Sequence, residues 1–185
     1  MEKQITRKFN DGRIHCVYAG TFDPRKGGVA AAAAGEFLDE RYHIHILGFG
    51  SENDKKLLIK TIEELSKKTT CKITYDGLLS GGEYIKFIQS CDIGLSTQNP
   101  NAAFNDTSFP SKILSYMANG LKVVSIRIPA IETSDVADYI YYYDKQEPRE
   151  ISNVIMSIDI NDDYDSRKLI SELGEKFREK LKGVI

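Results

Sequence analysis

No run of apolar residues in this 185-residue chain approaches the roughly 20 needed to cross a bilayer, and the start Met1-Glu2-Lys3-Gln4-Ile5-Thr6-Arg7-Lys8 has no apolar signal core. Neither a spanning helix nor a secretion leader is expected, so the expected location is cytoplasmic. An excess of charge is also missing: 25 Lys and Arg stand against 27 Asp and Glu, with no long block of one sign. Nucleic-acid surfaces need a basic field, so nucleic acid is not an expected partner. Cysteine is sparse. Cys16, Cys71 and Cys91 are odd in number, scattered, and each in or beside an apolar segment, which predicts buried free thiols rather than a disulfide or a zinc site. His15, His43 and His45 alternate along strand-like segments with no second group of metal-type ligands nearby; they read as structural, and no metal site is expected. Gly-x-Gly-x-x-Gly and the Gly-Lys-Ser/Thr P-loop are both missing, which disfavours a nicotinamide cofactor or nucleotide hydrolysis.

What is present is a regular alternation of short apolar runs and helical stretches. Residues 1–12 are polar and aperiodic, and read as a linker or frayed end before a single domain at 13–185. Strands are predicted at Ile14–Ala19, Ile44–Leu47, Ile73–Tyr75, Ile93–Ser96, Val123–Ile126 and Tyr139–Tyr143. Helices are predicted at Gly28–Glu40, Asp54–Lys68, Gly82–Ser90, Pro110–Asn119, Ile131–Val136, Pro148–Ile158 and Asp163–Leu181. This βα order predicts a Rossmann-like, doubly wound, six-stranded parallel sheet with helices on both faces. The alanine run Ala30 to Ala34 allows a helix to approach the sheet closely. In the last helix, Leu169, Ile170, Leu173, Phe177 and Leu181 make one apolar face, suited to covering this domain or another.

Two helix starts carry the chemistry. After the first strand, Gly20, Thr21, Phe22, Asp23, Pro24, Arg25, Lys26 and Gly27 form a turn in which glycine permits close backbone approach and two cations suit a diphosphate. The bland alternative is a tight turn with solvated cations. The second start is Ser108-Phe109-Pro110-Ser111-Lys112, where Pro110 pre-sets a helical φ, Ser108 or Ser111 can cap, and Gly120 ends the helix before a buried strand. Its N-terminus is predicted at the carboxyl edge of the sheet, where open α/β folds bind ligands. Between them, Thr97 to Ser108 is a long polar connection with no element of its own; Asn105, Asp106, Thr107 and Ser108 suit either a sugar or a solvated, locally capped loop. Gly77, Leu78 and the backbone up to Ser80 suit a nucleobase edge, or Ser80 is simply a helix cap. The tyrosines at 139 and 141–143 read as core packing rather than a stacking platform.

At these residues the chain resembles the C-terminal, nucleotide-sugar-binding half of retaining GT-B glycosyltransferases of the group 1 type. The resemblance runs from about Ile14 to the end. It includes Tyr18-Ala19-Gly20 with Lys26-Gly27, Ile46-Leu47-Gly48-Phe49-Gly50, Ile73-Thr74-Tyr75-Asp76-Gly77, and Ile88-Gln89-Ser90-Cys91-Asp92-Ile93-Gly94-Leu95-Ser96. The Pro-Ser-Lys helix, Gly120, Val123, Val124, Pro129 and Ile131-Glu132 complete it. It implies Lys26 on the donor diphosphate, Gly77 and Leu78 by the base, Ser111 and Lys112 by phosphate or sugar, and Gly20, Thr21, Gly27, Thr107, Ser108, Phe109, Pro110 and Ser115 around them. It implies a nucleotide-diphosphate sugar as substrate, no cofactor and no metal. The family's two glutamates, near sugar and ribose, are replaced by Thr107 and Ser115, and its arginine after the first glycine by Thr21. Lys112 is then expected to supply charge to the leaving group. An acceptor-binding N-terminal domain is implied as the missing partner, with peripheral association at the inner face of a membrane through that half. This chain reads as an excised or split-gene C-terminal domain, inactive alone. A degenerate, non-catalytic module that binds or regulates a protein is the alternative.

Overall fold

The computed structural model describes residues 9–106 and 108–182. Its strands are β1 (Ile14–Thr21), β2 (Tyr42–Phe49), β3 (Lys72–Gly77), β4 (Ile93–Ser96), β5 (Lys122–Ile126) and β6 (Ile140–Tyr143), and its helices α1 (Gly28–Ala34), α2 (Glu52–Leu65), α3 (Gly81–Gln89), α4 (Ser111–Ala118), α5 (Pro129–Glu132), α6 (Pro148–Met156) and α7 (Ser166–Lys182). The six strands are parallel in the order β3-β2-β1-β4-β5-β6. The order reverses between β1 and β4, and such a switch point opens a crevice at the carboxyl ends of the strands.

Packing explains the layers. Ala31, Ala32 and Ala34 are fully buried, and a Cβ on Gly35 would lie 2.5 Å from Ile73 Cδ1, so α1 comes down tightly on one face of the sheet. On the other face, α3 sets Phe87 edge-on to His45 and α4 fills the space above Gly94 with Tyr116. A Cβ on Gly94 would meet that ring at 2.3 Å. Seven of the eight β2 residues are buried, as expected of a strand covered on both faces. All three cysteines are buried free thiols, and no described helix is long and apolar enough to cross a membrane.

Several element ends differ from the sequence expectation for local reasons. The first helix stops at Ala34 rather than Glu40, and a 3-10 turn at Gly35–Phe37 follows, because Gly35 is pressed onto β3. The second begins at Glu52, two residues early, since the Ser51 side chain caps Asp54 N–H. Pro129 at the first helical position starts α5 before Ile131, and the helix ends at Glu132, its next turn closed by Thr133 Oγ1 on the Pro129 carbonyl. Tyr139 belongs to a 3-10 turn, not to β6. In α7, Leu169, Ile170 and Leu173 pack on the core, whereas Phe177 is 63% exposed and the side chain of Leu181 lies outside the described residues.

Residues 9–12 are not a loose end. Phe9 stacks on His15 at 4.3 Å and on His45 at 4.9 Å, and Asp11 binds the Arg13 guanidinium and His15 Nε2. Residues 1–8 of the expected linker lie outside the described residues.

Candidate functional site

Three adjoining recesses form one trough along the carboxyl edge of the sheet. The first, about 220 Å³, is mostly apolar and lies among Gly20, Thr21, Leu47, Gly48, Phe49, Leu78, Leu79 and Tyr84. The second, about 500 Å³, shares Gly20, Thr21 and Tyr84 and adds Lys26, Ser111, Lys112 and Ser115. The third, about 300 Å³, shares Lys26, Ser111 and Lys112 and runs to Gln98, Ser108, Phe109 and Pro110. The trough therefore passes from an apolar end to a cationic end. A separate polar recess of about 180 Å³ sits beyond the start of β5, where Lys122 is already paired with Asp162.

Glycine brings the backbone within reach. Gly20 pairs with Gly48 in the β1–β2 register, and a Cβ on Gly48, at φ 135°, would stand 1.7 Å from the Gly20 carbonyl oxygen. Gly27 has φ 94°, and a Cβ there would lie 1.9 Å from the Thr97 carbonyl oxygen. The Thr97 hydroxyl donates to the Gly27 carbonyl at 2.7 Å, tying the turn after β1 to the end of β4 across the switch point. Gly27 lines none of the three recesses; its part is to aim the preceding Lys26. Gly77, at φ 84°, also turns the chain without facing the trough, and Leu78 beside it is 64% exposed at the apolar end.

Arg25 and Lys26 part company. Arg25 forks onto the Asp23 carboxylate, with Nε 3.0 Å from Oδ1, while Asp23 also accepts from the Arg25 N–H. That pair closes a 3-10 turn at Pro24–Lys26 and leaves Lys26 to face the trough. The expectation of two cations on a diphosphate is thereby reduced to one from this turn.

Lys112 supplies the second. It stands in the first turn of α4, whose N-cap is Pro110, which offers no side-chain oxygen to the first-turn amides. Ser111 is itself the first helical residue and so is not the cap. Lys112 Nζ sits 4.1 Å from the centre of the Tyr18 ring and would be 3.1 Å from a Cβ on Gly20. Among the described residues no carboxylate pairs with it. Burial, and secondarily the charge of Lys26, push its ammonium down to about 7. Tyr18 is held by its hydroxyl against the carbonyls of Thr21 at 2.8 Å and Lys26 at 3.0 Å. Tyr116 fixes the helix itself, accepting from the Ala19 N–H at 2.8 Å and donating to the Leu95 carbonyl at 3.4 Å. An anion brought here would meet two ammonium groups and a helix N-terminus at once.

No known family profile and no curated protein matches the sequence. Solved structures do match the fold. Anabaena HepE in complex with UDP and glucose superposes with a TM-score of 0.70 at 16% identity, over 92% of this chain and 48% of HepE. The C-terminal domain of a group 1 glycosyltransferase, LpcC, from Francisella tularensis gives 0.66 at 16% identity, over 87% of this chain and 86% of that one. Sucrose-phosphate synthase from Thermosynechococcus elongatus gives 0.65 at 15% identity, over 92% of this chain and 46% of the synthase. The fold is that of a GT-B glycosyltransferase C-terminal domain. This chain spans about half the length of HepE and of the synthase.

Within this GT-B-type domain the trough gathers Gly20, Thr21, Lys26, Leu78, Ser108, Phe109, Pro110, Ser111, Lys112 and Ser115 from the expected site. Thr107 lies outside the described residues, as does the side chain of Asp106. Asn105 does not face a ligand: it is 3% exposed, and its amide donates to the Asn99 and Pro100 carbonyls while accepting from Gln98. The connection is also not featureless, since a 3-10 turn spans Ala103–Asp106. Ser80 stands at the N-cap of α3 but makes no side-chain capping bond. Sequence reasoning missed Phe49, Tyr84 and Gln98 as site residues. Phe49 was the one with a signal, an aromatic at the polar end of a buried strand; it is 58% exposed.

Proposed function

We propose that this domain binds the nucleoside-diphosphate sugar donor of a glycosyltransferase. The observation that carries the reading is the polarity of the trough: an apolar recess at Phe49 and Leu78, the Gly20–Thr21 backbone in the middle, and Lys26, Lys112 and the α4 N-terminus at the other end. That order matches a base, a ribose and a diphosphate laid end to end. HepE has been crystallised with UDP-glucose, and its fold is shared, which supports a uridine nucleotide as the first ligand to try.

In this reading Lys26 and Lys112 stabilise charge on the departing diphosphate, in a site where fixed cations need no reorganisation during reaction. Transfer would retain anomeric configuration, use no metal, and serve cell-surface polysaccharide or glycoconjugate assembly. An acceptor-binding partner half is needed to position the second substrate in a closed cleft. A second reading has its own observation. No acidic side chain lines the trough among the described residues, and by the resemblance Ser115 replaces a glutamate near the ribose. That favours a degenerate module that retains the cleft for another purpose.

Calorimetric titration of the chain with UDP, GDP, CDP, dTDP and their glucose conjugates separates the two. Selective saturable binding of one base, weakened about tenfold or more by Lys112→Ala, is expected from loss of one charge-assisted contact. No binding at millimolar nucleotide would leave the degenerate reading standing instead.

A further inference from the structure

At the opposite end of β1, parallel pairing sets His15 beside His43 and Val17 beside His45. The three histidines are 2%, 4% and 1% exposed, and one ring nitrogen from each lies within 4.8 Å of the other two. One nitrogen of each ring is held by a partner outside the cluster. His15 Nε2 is 2.9 Å from Asp11, His45 Nδ1 is 3.0 Å from Asp76, and His43 Nε2 is 2.8 Å from the Thr74 hydroxyl oxygen. A shift of register between Ile46 and Leu47 takes Asp76 out of the β2–β3 pairing sequence. That shift lets its carboxylate serve the cluster.

For neutral imidazoles these bonds set where the protons are. An ionised carboxylate only accepts, so His15 and His45 each donate outward. The Thr74 hydroxyl donates its single proton to Asp76 at 2.7 Å, so it can only accept from His43 Nε2–H. Each of the three rings then keeps one bare lone pair. His15 Nδ1 and His45 Nε2 stand 2.9 Å apart, and His43 Nδ1 is buried with no hydrogen-bond partner among the described residues. Two lone pairs at that distance repel unless something positive lies between them. Neutral imidazoles whose far nitrogens bind carboxylate or hydroxyl oxygens are the arrangement that metal-binding histidines adopt.

We propose that His15, His43 and His45 bind a divalent cation of the zinc type through these three nitrogens. Imidazole selects late first-row metals over calcium or magnesium. Zinc–nitrogen bonds of about 2.0–2.1 Å put tetrahedral ligands ~3.3 Å apart, so His15 and His45 need separate by only a few tenths of an ångström. Asp11, which also serves Arg13, and Asp76 balance the charge. Phe9 lies over His15 and His45 as a cover. The cation would join β1, β2 and the segment before β1, and is structural. It sits five residues along β1 from Gly20, roughly 16 Å at strand rise, so it stands or falls independently of donor binding.

The test is titration of the chelator-treated full chain with Co²⁺ as an optical probe and Zn²⁺ as its competitor. Expected are saturation near about one equivalent, visible d–d absorption abolished by Zn²⁺, hyperfine-shifted imidazole N–H signals from three histidines, and a melting-temperature rise of roughly 5 °C with Zn²⁺. His43→Gln keeps an amide for Thr74 and removes the inward nitrogen; it should lose the absorption while still binding the donor nucleotide as wild type does. The proposal is overturned by no saturable binding at micromolar metal, by shifted signals from fewer than three histidines, or by equal affinity in His43→Gln. It is also overturned if nitrogen NMR of the metal-free chain shows an imidazolium that metal does not displace, which would mean a shared proton only. The NMR arms use wild type and do not depend on how the variant folds.

Discussion

The two ends of β1 treat polar groups in opposite ways. At its start, His15 is buried and bound outward to Asp11, and Phe9 closes over it. At its end, Gly20 and Thr21 lie open, and the nearest cation, Lys112, rests on an aromatic face with no described carboxylate beside it. The first end buries its polar groups and holds each imidazole from outside with an oxygen of Asp11, Asp76 or Thr74. The second holds Lys112 half-buried with no carboxylate beside it among the described residues, and charge so held costs stability until an anion arrives.

The sharpest way to break this contrast is to remove the close backbone contact on which the open end depends. Gly48→Ala and Gly27→Ala each put a Cβ within 2 Å of a carbonyl oxygen at positive φ. Each should lose about 3 kcal/mol or more in denaturant titration, since strain and a backbone clash add. Gly77→Ala is the control: its φ is also positive, but nothing lies within 4 Å, so only about 1–2 kcal/mol should be lost. Equal losses at all three would mean that close approach plays no part.

Lys112→Met asks whether the open end is strained by its charge. The folded pKa of about 7 lies below the ordinary lysine value of 10.5, so the unfolded chain binds more protons between those values. For this group wild-type stability must rise with pH across that window, and the full cost is present below it. At neutral pH the ligand-free variant should be more stable by on the order of 4 kcal/mol, each pKa unit being about 1.4 kcal/mol, with the gain shrinking toward pH 10. The same variant should bind UDP about 10- to 100-fold more weakly. A ligand-free variant less stable than wild type at pH 7 would show that Lys112 is a packing residue.

Phe49→Ala acts at the apolar end only. Loss of one exposed aromatic contact should weaken UDP roughly fivefold, about 1 kcal/mol, while leaving inorganic pyrophosphate binding unchanged. If both ligands weaken alike, the trough has no separate base end.

Much of this contrast was readable in the sequence, but unevenly. The fold was legible because buried strands such as Val123–Ile126 are short apolar runs and because Pro110 and Gly120 punctuate the helix between them. The same punctuation pointed to the trough. What one dimension hides is register. His15 and His43 are 28 residues apart and look like separate core residues until parallel pairing sets them side by side. Asp76 reads as a strand-end residue until the irregularity in the β2–β3 ladder brings it to His45. Competition among local polar groups is equally hidden: Asn105 looked available to a ligand and is engaged by two carbonyls.

Arg25 is the smallest effect and the most discriminating, because composition alone would rank it with Lys26. Both are cations in the turn after β1, but Arg25 is 67% exposed on its side chain and forks onto Asp23 two residues away. An exposed pair of this kind contributes little to stability, and its carboxylate also holds the Arg25 N–H without help from the guanidinium. Arg25→Ala should therefore leave the denaturant midpoint essentially unchanged and nucleotide affinity within about twofold. Lys26→Ala, one residue on and facing the trough, should cost about tenfold in affinity. Were the two variants to lose nucleotide binding equally, the Asp23 fork would have to open on ligand binding, and the open end of β1 would hold three cations where the ligand-free fold presents two.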